Sequence, residues 1–431
     1  MNVSQRGFVI GDLHLGAGAG DPLEDFFDDD ALARFSERIA SPETTLFLNG
    51  DVIDFAQIPP FDVPRPAHLL WDEATSVRKL ETALAAHPDA FAGLRSFVDA
   101  GARLHVLAGN HDLDLAWPRV QQRLRAALGE PPAEQFTVTV GATCFAGVHI
   151  EHGYQFSAEN CPRDPERFVH EWPEGGTRYL ERVWGTDFML QFYNQIEREH
   201  PFADHIKPTI SVVWHGIRNG WIGGRELVRV LLFLKRRGVP WKGILDAVLD
   251  DPGPADPAVV VGSFTEPEWR RAIADRARAD HAFVVELRTA LGELDDHERS
   301  VVLTPEPVQL ADPRLTGPGE DPPTTLGLFR DGRERRAARD RLSRDGVTAV
   351  VFGHTHGIVS GDLDGCLFNP GSWLPCLDLE APAVRERIDR DGLTLDALKD
   401  RTLYAVDRRA VRIDERPGER TRVGLVAHDD P

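Results

Sequence analysis

Leu46-Phe47-Leu48-Asn49-Gly50-Asp51-Val52-Ile53-Asp54, residues 46–54, is the stretch whose reading decides the fold class. A short apolar run ends at Asn-Gly and two carboxylates follow, so the polar groups emerge where a strand gives way to a loop. The same pattern recurs along the chain. Phe8-Val9-Ile10 runs into Asp12-Leu13-His14, and Leu104 to Leu107 into Gly109-Asn110-His111-Asp112. Val148-His149-Ile150 runs into Glu151-His152-Gly153, and Val350-Val351-Phe352 into Gly353-His354-Thr355-His356. Helical stretches alternate with the earlier runs. The pattern predicts a layered α/β fold with every polar group at one rim of the sheet, where such folds place ligands.

The 431 residues suffice for two or three domains, or for one α/β domain with a large insertion. Apolar residues at 42% and charged residues at 27% exclude a disordered chain and a membrane bundle. A formal net charge of −20 repels polyphosphate backbones, so generic nucleic-acid binding is not expected. Cys144, Cys161, Cys366 and Cys376 show no C-x-x-C spacing and are too sparse for a disulfide scaffold, which points to a reducing compartment. With no basic n-region ahead of an apolar core and no long apolar run, the expected location is cytoplasmic.

The organisation read from the sequence is a core over 1–156, a mainly helical insertion over 157–345, the last part of the core over 346–414 and a polar tail over 415–431. Helical periodicity marks Arg178 to Glu199, Gly224 to Arg237 and Pro267 to Leu291, while Pro-rich stretches at 251–257 and 304–325 read as loops. Thr402 to Ile413 alternates like an edge strand. The run Asp28-Asp29-Asp30 reads as a helix cap. His105 and His149, inside strand-like runs, read as satisfied core residues.

Taken singly, an Asp after a strand is most simply a cap and a lone His an ordinary residue. Their order and shared position change that. Asp12, His14, Asp51, Asn110, His152, His354 and His356 offer carboxylate, imidazole and amide oxygen without thiolate, a set suited to Mn, Fe or Zn and too large for one ion. Two divalent transition-metal ions are therefore expected. Ions about 4 Å apart can activate a water and clamp the attacking and leaving oxygens of an in-line displacement at phosphorus.

In residue type and order these five motifs resemble the calcineurin-like metallophosphoesterase superfamily, whose pattern runs D-x-H, G-D-x-x-D, G-N-H-D/E, a His before Gly, and G-H-x-H. The resemblance covers 7–156 and 346–373 and includes the Asn369-Pro370-Gly371-Ser372 turn. It implies a four-layer α/β/β/α sandwich and hydrolysis of a phosphoester or pyrophosphate by a metal-bridging hydroxide. It also puts one ion on Asp12, His14, Asp51 and His356 and the second on Asp51, Asn110, His152 and His354, with Asp51 between them. His111 becomes the general acid, or a donor to the phosphoryl oxygen, oriented by Asp112, and Asp54 supports the loop or an imidazole. Within the family, the Glu151-His152-Gly153 step looks most similar to the bacterial UDP-2,3-diacylglucosamine pyrophosphatase branch, which makes a phosphorylated small molecule or a lipid-linked compound the expected substrate. A nuclease or cyclic-nucleotide phosphodiesterase on the same core, and a metal-bound scaffold whose insertion holds a protein partner, are the alternatives.

Residues 207–242 carry eight basic residues and one acid, with Trp214, Trp221, Trp241 and the run Val230 to Leu234. This composition suits a peripheral membrane contact or a lid over an amphiphilic substrate. The plainer reading is a helix packed on the fold with its cations in water.

Overall fold

The computed structural model describes residues 4–61, 71–156, 160–162, 168–171, 178–181, 183–201, 205–207, 216–217, 220, 222–236, 273, 275–296, 298–299, 333–378, 381, 384, 386–387, 390 and 403–431. Its strands are β1 (Gln5–Ile10), β2 (Thr44–Asn49), β3 (Arg103–Leu107), β4 (Phe136–Thr139), β5 (Thr143–Phe145), β6 (Val148–Ile150), β7 (Val169–Glu171), β8 (Arg178–Leu180), β9 (Ile206–Lys207), β10 (Ala349–Val351), β11 (Val359–Gly361), β12 (Leu367–Asn369), β13 (Leu377–Asp378), β14 (Arg409–Glu415) and β15 (Arg422–Ala427). The helices used below are α1 (Asp29–Ile39), α2 (Glu73–Ala86), α3 (Pro88–Asp99), α4 (Pro118–Ala127), α5 (Trp184–Phe188), α6 (Asn194–Glu199), α7 (Gly224–Arg236), α8 (His281–Glu293) and α9 (Arg333–Leu342).

Two mixed sheets organise the larger unit, which comprises 1–201, 330–375 and 405–431. The six-stranded sheet has the order β15-β14-β1-β2-β3-β4, with β1, β2, β3 and β4 mutually parallel. The five-stranded sheet has the order β11-β12-β10-β6-β5, with β6, β10 and β12 parallel. Alternation along each strand divides its side chains between two cores. Phe8, Ile10, Leu46, Leu48, Leu104 and Val106 face α1, α2, α3 and α4. Val9, Phe47 and Leu107 pack instead with Val148, Ile150, Val351 and Phe368 of the second sheet. On that sheet's other face, Val350, Phe352 and Leu367 pack with Ala337 and Ala338 of α9. Each fully buried aliphatic or aromatic side chain contributes ~1.5–3 kcal/mol, so these alternating faces fix the strand registers.

Asp28 caps α1 as expected, accepting from the Ala31 amide at 3.0 Å. His105 meets Thr139 and His149 meets Glu151, in keeping with their reading as satisfied residues.

Several boundaries differ from those read in the sequence. The larger unit runs on to residue 201, taking in the β7–β8 hairpin, α5 and α6. Arg178 to Leu180 is therefore strand, and helix begins at Trp184. Helix α9, expected within the insertion, belongs to the core because its two alanines cover the second sheet. The expected polar tail is strand β15, paired antiparallel with β14 from Arg409↔Ala427 to Asp414↔Arg422. Strand β14 is consequently internal, between β1 and β15, and β15 is the edge.

The second unit comprises 202–329 and 376–404. Within it α7 packs on α8, burying Leu227, Val228, Val230 and Leu231 on one helix and Phe283, Val284, Leu287 and Leu291 on the other. The apolar face of α7 is thus used within its own unit. Exposed Arg225 pairs with Glu293. The Trp214, Trp221, Trp241, Arg218, Arg237 and Lys242 part of the membrane-contact reading, and both Pro-rich stretches, lie outside the described residues. Among the described residues, no helix is long and apolar enough to cross a membrane.

Candidate metal centre

The five polar motifs follow the C-terminal ends of β1, β2, β3, β6 and β10, and the parallel pairing brings each sheet's loops to one end. Asp12 (φ 55°), His14 (51°), Asp51 (50°), His354 (65°) and His356 (54°) all adopt the left-handed backbone region. That region costs a non-glycine residue ~1–2 kcal/mol and persists only where the surroundings impose it. Here backbone bonds do so. The amides of Asp12, Leu13 and His14 donate to Gly50 and Asp51 carbonyls at 2.9–3.1 Å, and Gly353 donates to His152 O at 2.9 Å. Across the two sheets, Asn49 Nδ2 donates to Glu151 O at 3.1 Å, and His152 Nδ1 to Asn49 O at 2.6 Å. Two glycines make room for this closeness. A Cβ on Gly109 would stand 2.2 Å from Asp51 Oδ1, and one on Gly50, itself at φ 82°, 2.4 Å from His152 Nδ1.

Among the described residues three groups of potential ligand atoms result, each with all members within 4.8 Å of one another: Asp12, His14, Asp51 and His356; Asp51, His152 and His354; and His14, Asp54 and His111. Asp51 joins the first two groups, and His14 the first and the third. His14 Nε2 lies 3.2 Å from His356 Nε2 and 3.9 Å from Asp51 Oδ2, while His356 Nε2 is 3.3 Å from Asp12 Oδ1 and His152 Nε2 is 3.0 Å from Asp51 Oδ2. His14 directs Nδ1 to the Asp54 carboxylate at 3.0 Å and His152 directs Nδ1 to a carbonyl, which leaves each ring's Nε2 turned to the centre, where it can serve as a ligand once deprotonated. A lone pair 3.0 Å from a carboxylate oxygen requires a proton or a metal cation between them. Burial opposes charge on His152, but Asp51 and Asp12 prevail and push its pKa up to about 9. Burial drives His354 down to about 3, assisted by the field of His152, leaving it a neutral donor.

The donor set fits metal ions on a further observation. Asp12 Oδ2 and Asn110 Oδ1 are buried without a hydrogen-bond partner among the described residues, although an unpaired buried polar oxygen is costly. A cation would pair both.

Asp54 supports its loop and the His14 imidazole as expected, while the role expected of Asp112 changes. The carboxylate that meets His111 is Asp54, whose Oδ2 lies 2.6 Å from His111 Nδ1 and also serves His14. Burial raises the Asp54 pKa, but the two imidazoles outweigh it and hold the carboxyl well below the usual range. Asp112 instead accepts from the amides of Gly109, Val52, Asp51 and Ile53 at 2.5–3.4 Å, tying the β3 loop to the β2 loop. Burial and the nearby Asp51 push its pKa up to about 7. The resemblance implied that Asp112 orients His111; the turn at Asp112 sends its carboxylate to the backbone instead.

Sequence reading missed two supports. Glu151 accepts from Arg341 Nε at 3.2 Å and from His149 at 2.9 Å, anchoring the loop that carries His152 to α9. Lys79 is wholly buried on the same helical stripe as Ser76, Leu80 and Ala83, and a lysine on an apolar stripe, in a chain with so few lysines, was the available signal.

The family model described as calcineurin-like phosphoesterase matches residues 7–268, more than half of the chain. The protein belongs to that family. Its class of chemistry is accordingly metal-dependent hydrolysis of phosphoesters, and its His/Asp groups could hold the metal. The match ends before Gly353-His354-Thr355-His356, so it is the fold that brings those two histidines to Asp12 and Asp51. No curated protein matches the chain in a sequence search.

Proposed function

We propose that this protein is a dinuclear metallophosphoesterase, built on a four-layer α/β/β/α core, that hydrolyses a phosphoester or pyrophosphate bond. The single observation that carries the reading is the membership of Asp51 in two ligand groups. The first ion is assigned to Asp12, His14, Asp51 and His356, the second to Asp51, Asn110, His152 and His354. Two divalent ions, when bound, supply an activated water and positive charge for the developing phosphoryl oxygens. The chain's own residues set the geometry. Asp51 turns Oδ2 toward His152 Nε2 at 3.0 Å and His14 Nε2 at 3.9 Å, while its Oδ1 accepts from the His111 amide at 2.9 Å. Asp54 fixes the His14 and His111 rings by their Nδ1 atoms. His111, half-buried at the rim, protonates the leaving oxygen or donates to a phosphoryl oxygen. Asp112 holds the two loops that carry these groups.

Mn, Fe and Zn all suit these donors, and the substrate class is a phosphorylated small molecule or a lipid-linked phosphoester. A hydrolysis screen with chromogenic phosphate mono- and diesters and added Mn tests the proposal. Turnover that chelation abolishes and Mn restores is expected; absence of turnover on every substrate by the metal-loaded protein contradicts it.

A further inference from the structure

The least expected buried charge lies beside the site rather than in it. Lys79, on α2, is 0% exposed. Its Nζ donates to Phe55 O at 2.9 Å and to Ile58 O, and stands 3.7 Å from the centre of the Trp71 ring. Burial opposes its charge, while Asp114, and after it Asp54, favours that charge. The Asp114 carboxylate in turn accepts from Trp71 Nε1 at 2.5 Å and from Ser76 Oγ. Burying an ammonium carries a desolvation cost of several kcal/mol, and an apolar side chain of similar volume often fills such a place at least as stably. Burial lowers the Lys79 pKa to about 7, but in either protonation state the amine does one thing an apolar group does not: it donates to two carbonyls three residues apart and so closes the turn directly after Asp54.

That turn is tied to the chemistry by short links. Asp54 Oδ1 accepts from the Gln57 amide at 3.1 Å, inside the turn, while Oδ2 grips His111 and His14. The Phe55 amide donates to His111 O at 3.2 Å. From another side, Asn194 Nδ2 donates to Ala56 O at 2.9 Å and Gln57 Nε2 to Glu197 at 2.6 Å, so the turn is held by α6 as well as by Lys79.

We propose that Lys79 is a positioning residue for His111, acting through the Phe55–Ile58 turn and the Asp54 carboxylate. The proposal rests on the hydrolase reading given above, with His111 as proton donor. Lys79→Met is expected to keep the metal content of the wild type and to lower kcat by about 10–100-fold, the usual range for groups that orient site residues, with KM nearly unchanged. In a His111→Ala background the same substitution is expected to cause no further loss, because two residues acting as a unit are non-additive. A multiplied loss in that background overturns the proposal, since it marks a general structural role, and so does a fall in metal content, which routes the effect through His14.

The double variant Lys79→Met/Asp114→Asn, which leaves no unpaired buried carboxylate, carries the same test if the single variant does not fold. Amide hydrogen exchange at Phe55 and Gln57 supplies a readout independent of turnover. Faster exchange at these two amides in the variant is expected, and unchanged exchange overturns the proposal. Wild-type protein without turnover overturns the hydrolase reading and the catalytic sense of this assignment, while the exchange result still reports whether Lys79 holds the turn.

Discussion

The loops of the two sheets contribute unlike chemistry to one site. The six-stranded sheet brings every carboxylate of the centre, together with His14, Asn110 and His111, whereas the five-stranded sheet brings only imidazoles: His152, His354 and His356. Across the junction His152 meets Asp51 at 3.0 Å and His356 meets Asp12 at 3.3 Å. Neither sheet alone holds either of the two groups that contain Asp51. The packing of Val9, Phe47 and Leu107 against Val148, Ile150 and Val351 is therefore also what assembles the centre, so that fold and site are fixed by the same contacts.

The strongest way to break this comparison is to remove the carboxylate shared by both groups. Asp51→Asn is expected to lower turnover by on the order of 10³-fold or more, the equivalent of several kcal/mol of transition-state stabilisation. Steady-state hydrolysis with excess Mn checks it, and near-normal rates would remove Asp51 from its role. His111→Ala changes only the six-stranded side and removes no proposed ligand. It is expected to reduce kcat by about 10²–10⁴-fold, the range for a general acid, with metal content unchanged by elemental analysis.

Asp54→Asn sharpens the contrast further, because Asp54 serves one proposed ligand and the proposed acid. A loss of about 10–100-fold in activity or metal affinity is expected. An effect confined to thermal stability would mean that the Asp54–His111 contact is incidental.

The smallest effect concerns the six-stranded side away from the centre. The loop after His14 is clasped by Glu24, which accepts from the Gly16 and Gly18 amides and meets His87, while His87 also meets Asp29 at 2.8 Å. Burial disfavours the charged imidazole, but the Asp29 and Glu24 carboxylates prevail and push its pKa up to about 9 from 6.5. The folded state therefore holds a proton that the unfolded chain releases near pH 6.5. This stabilisation is complete below that pH and is lost as pH rises through about 9. His87→Gln is expected to flatten the decline in Tm between pH 6.5 and 9.5 in thermal melts of protein and variant.

Much of this site was legible because its motifs sit where apolar strands stop, and a strand's end fixes where the next side chains emerge. Asp12, His14, Asp51, His152, His354 and His356 could be collected on that ground. The partner of His111 could not, since the choice between Asp54 and Asp112 depends on how two loops cross in space. Boundaries failed for a different reason. Helix α9 is strongly charged, and its two buried alanines give too narrow an apolar stripe to reveal a core helix. Strand β15 shows no burial alternation because it is an edge, held mainly by its ladder to β14. Lys79 was hidden by its chemistry, since a lysine on a helix is ordinarily solvated.

Metal stoichiometry tests the central claim most directly, because it asks whether one carboxylate unites two sites. Elemental analysis after incubation with excess Mn or Zn and desalting is expected to give about two ions per wild-type chain, in line with the size of the donor set, and to show both reduced together in Asp51→Asn. One ion or none in the wild type, or two ions retained without the Asp51 carboxylate, would contradict the account.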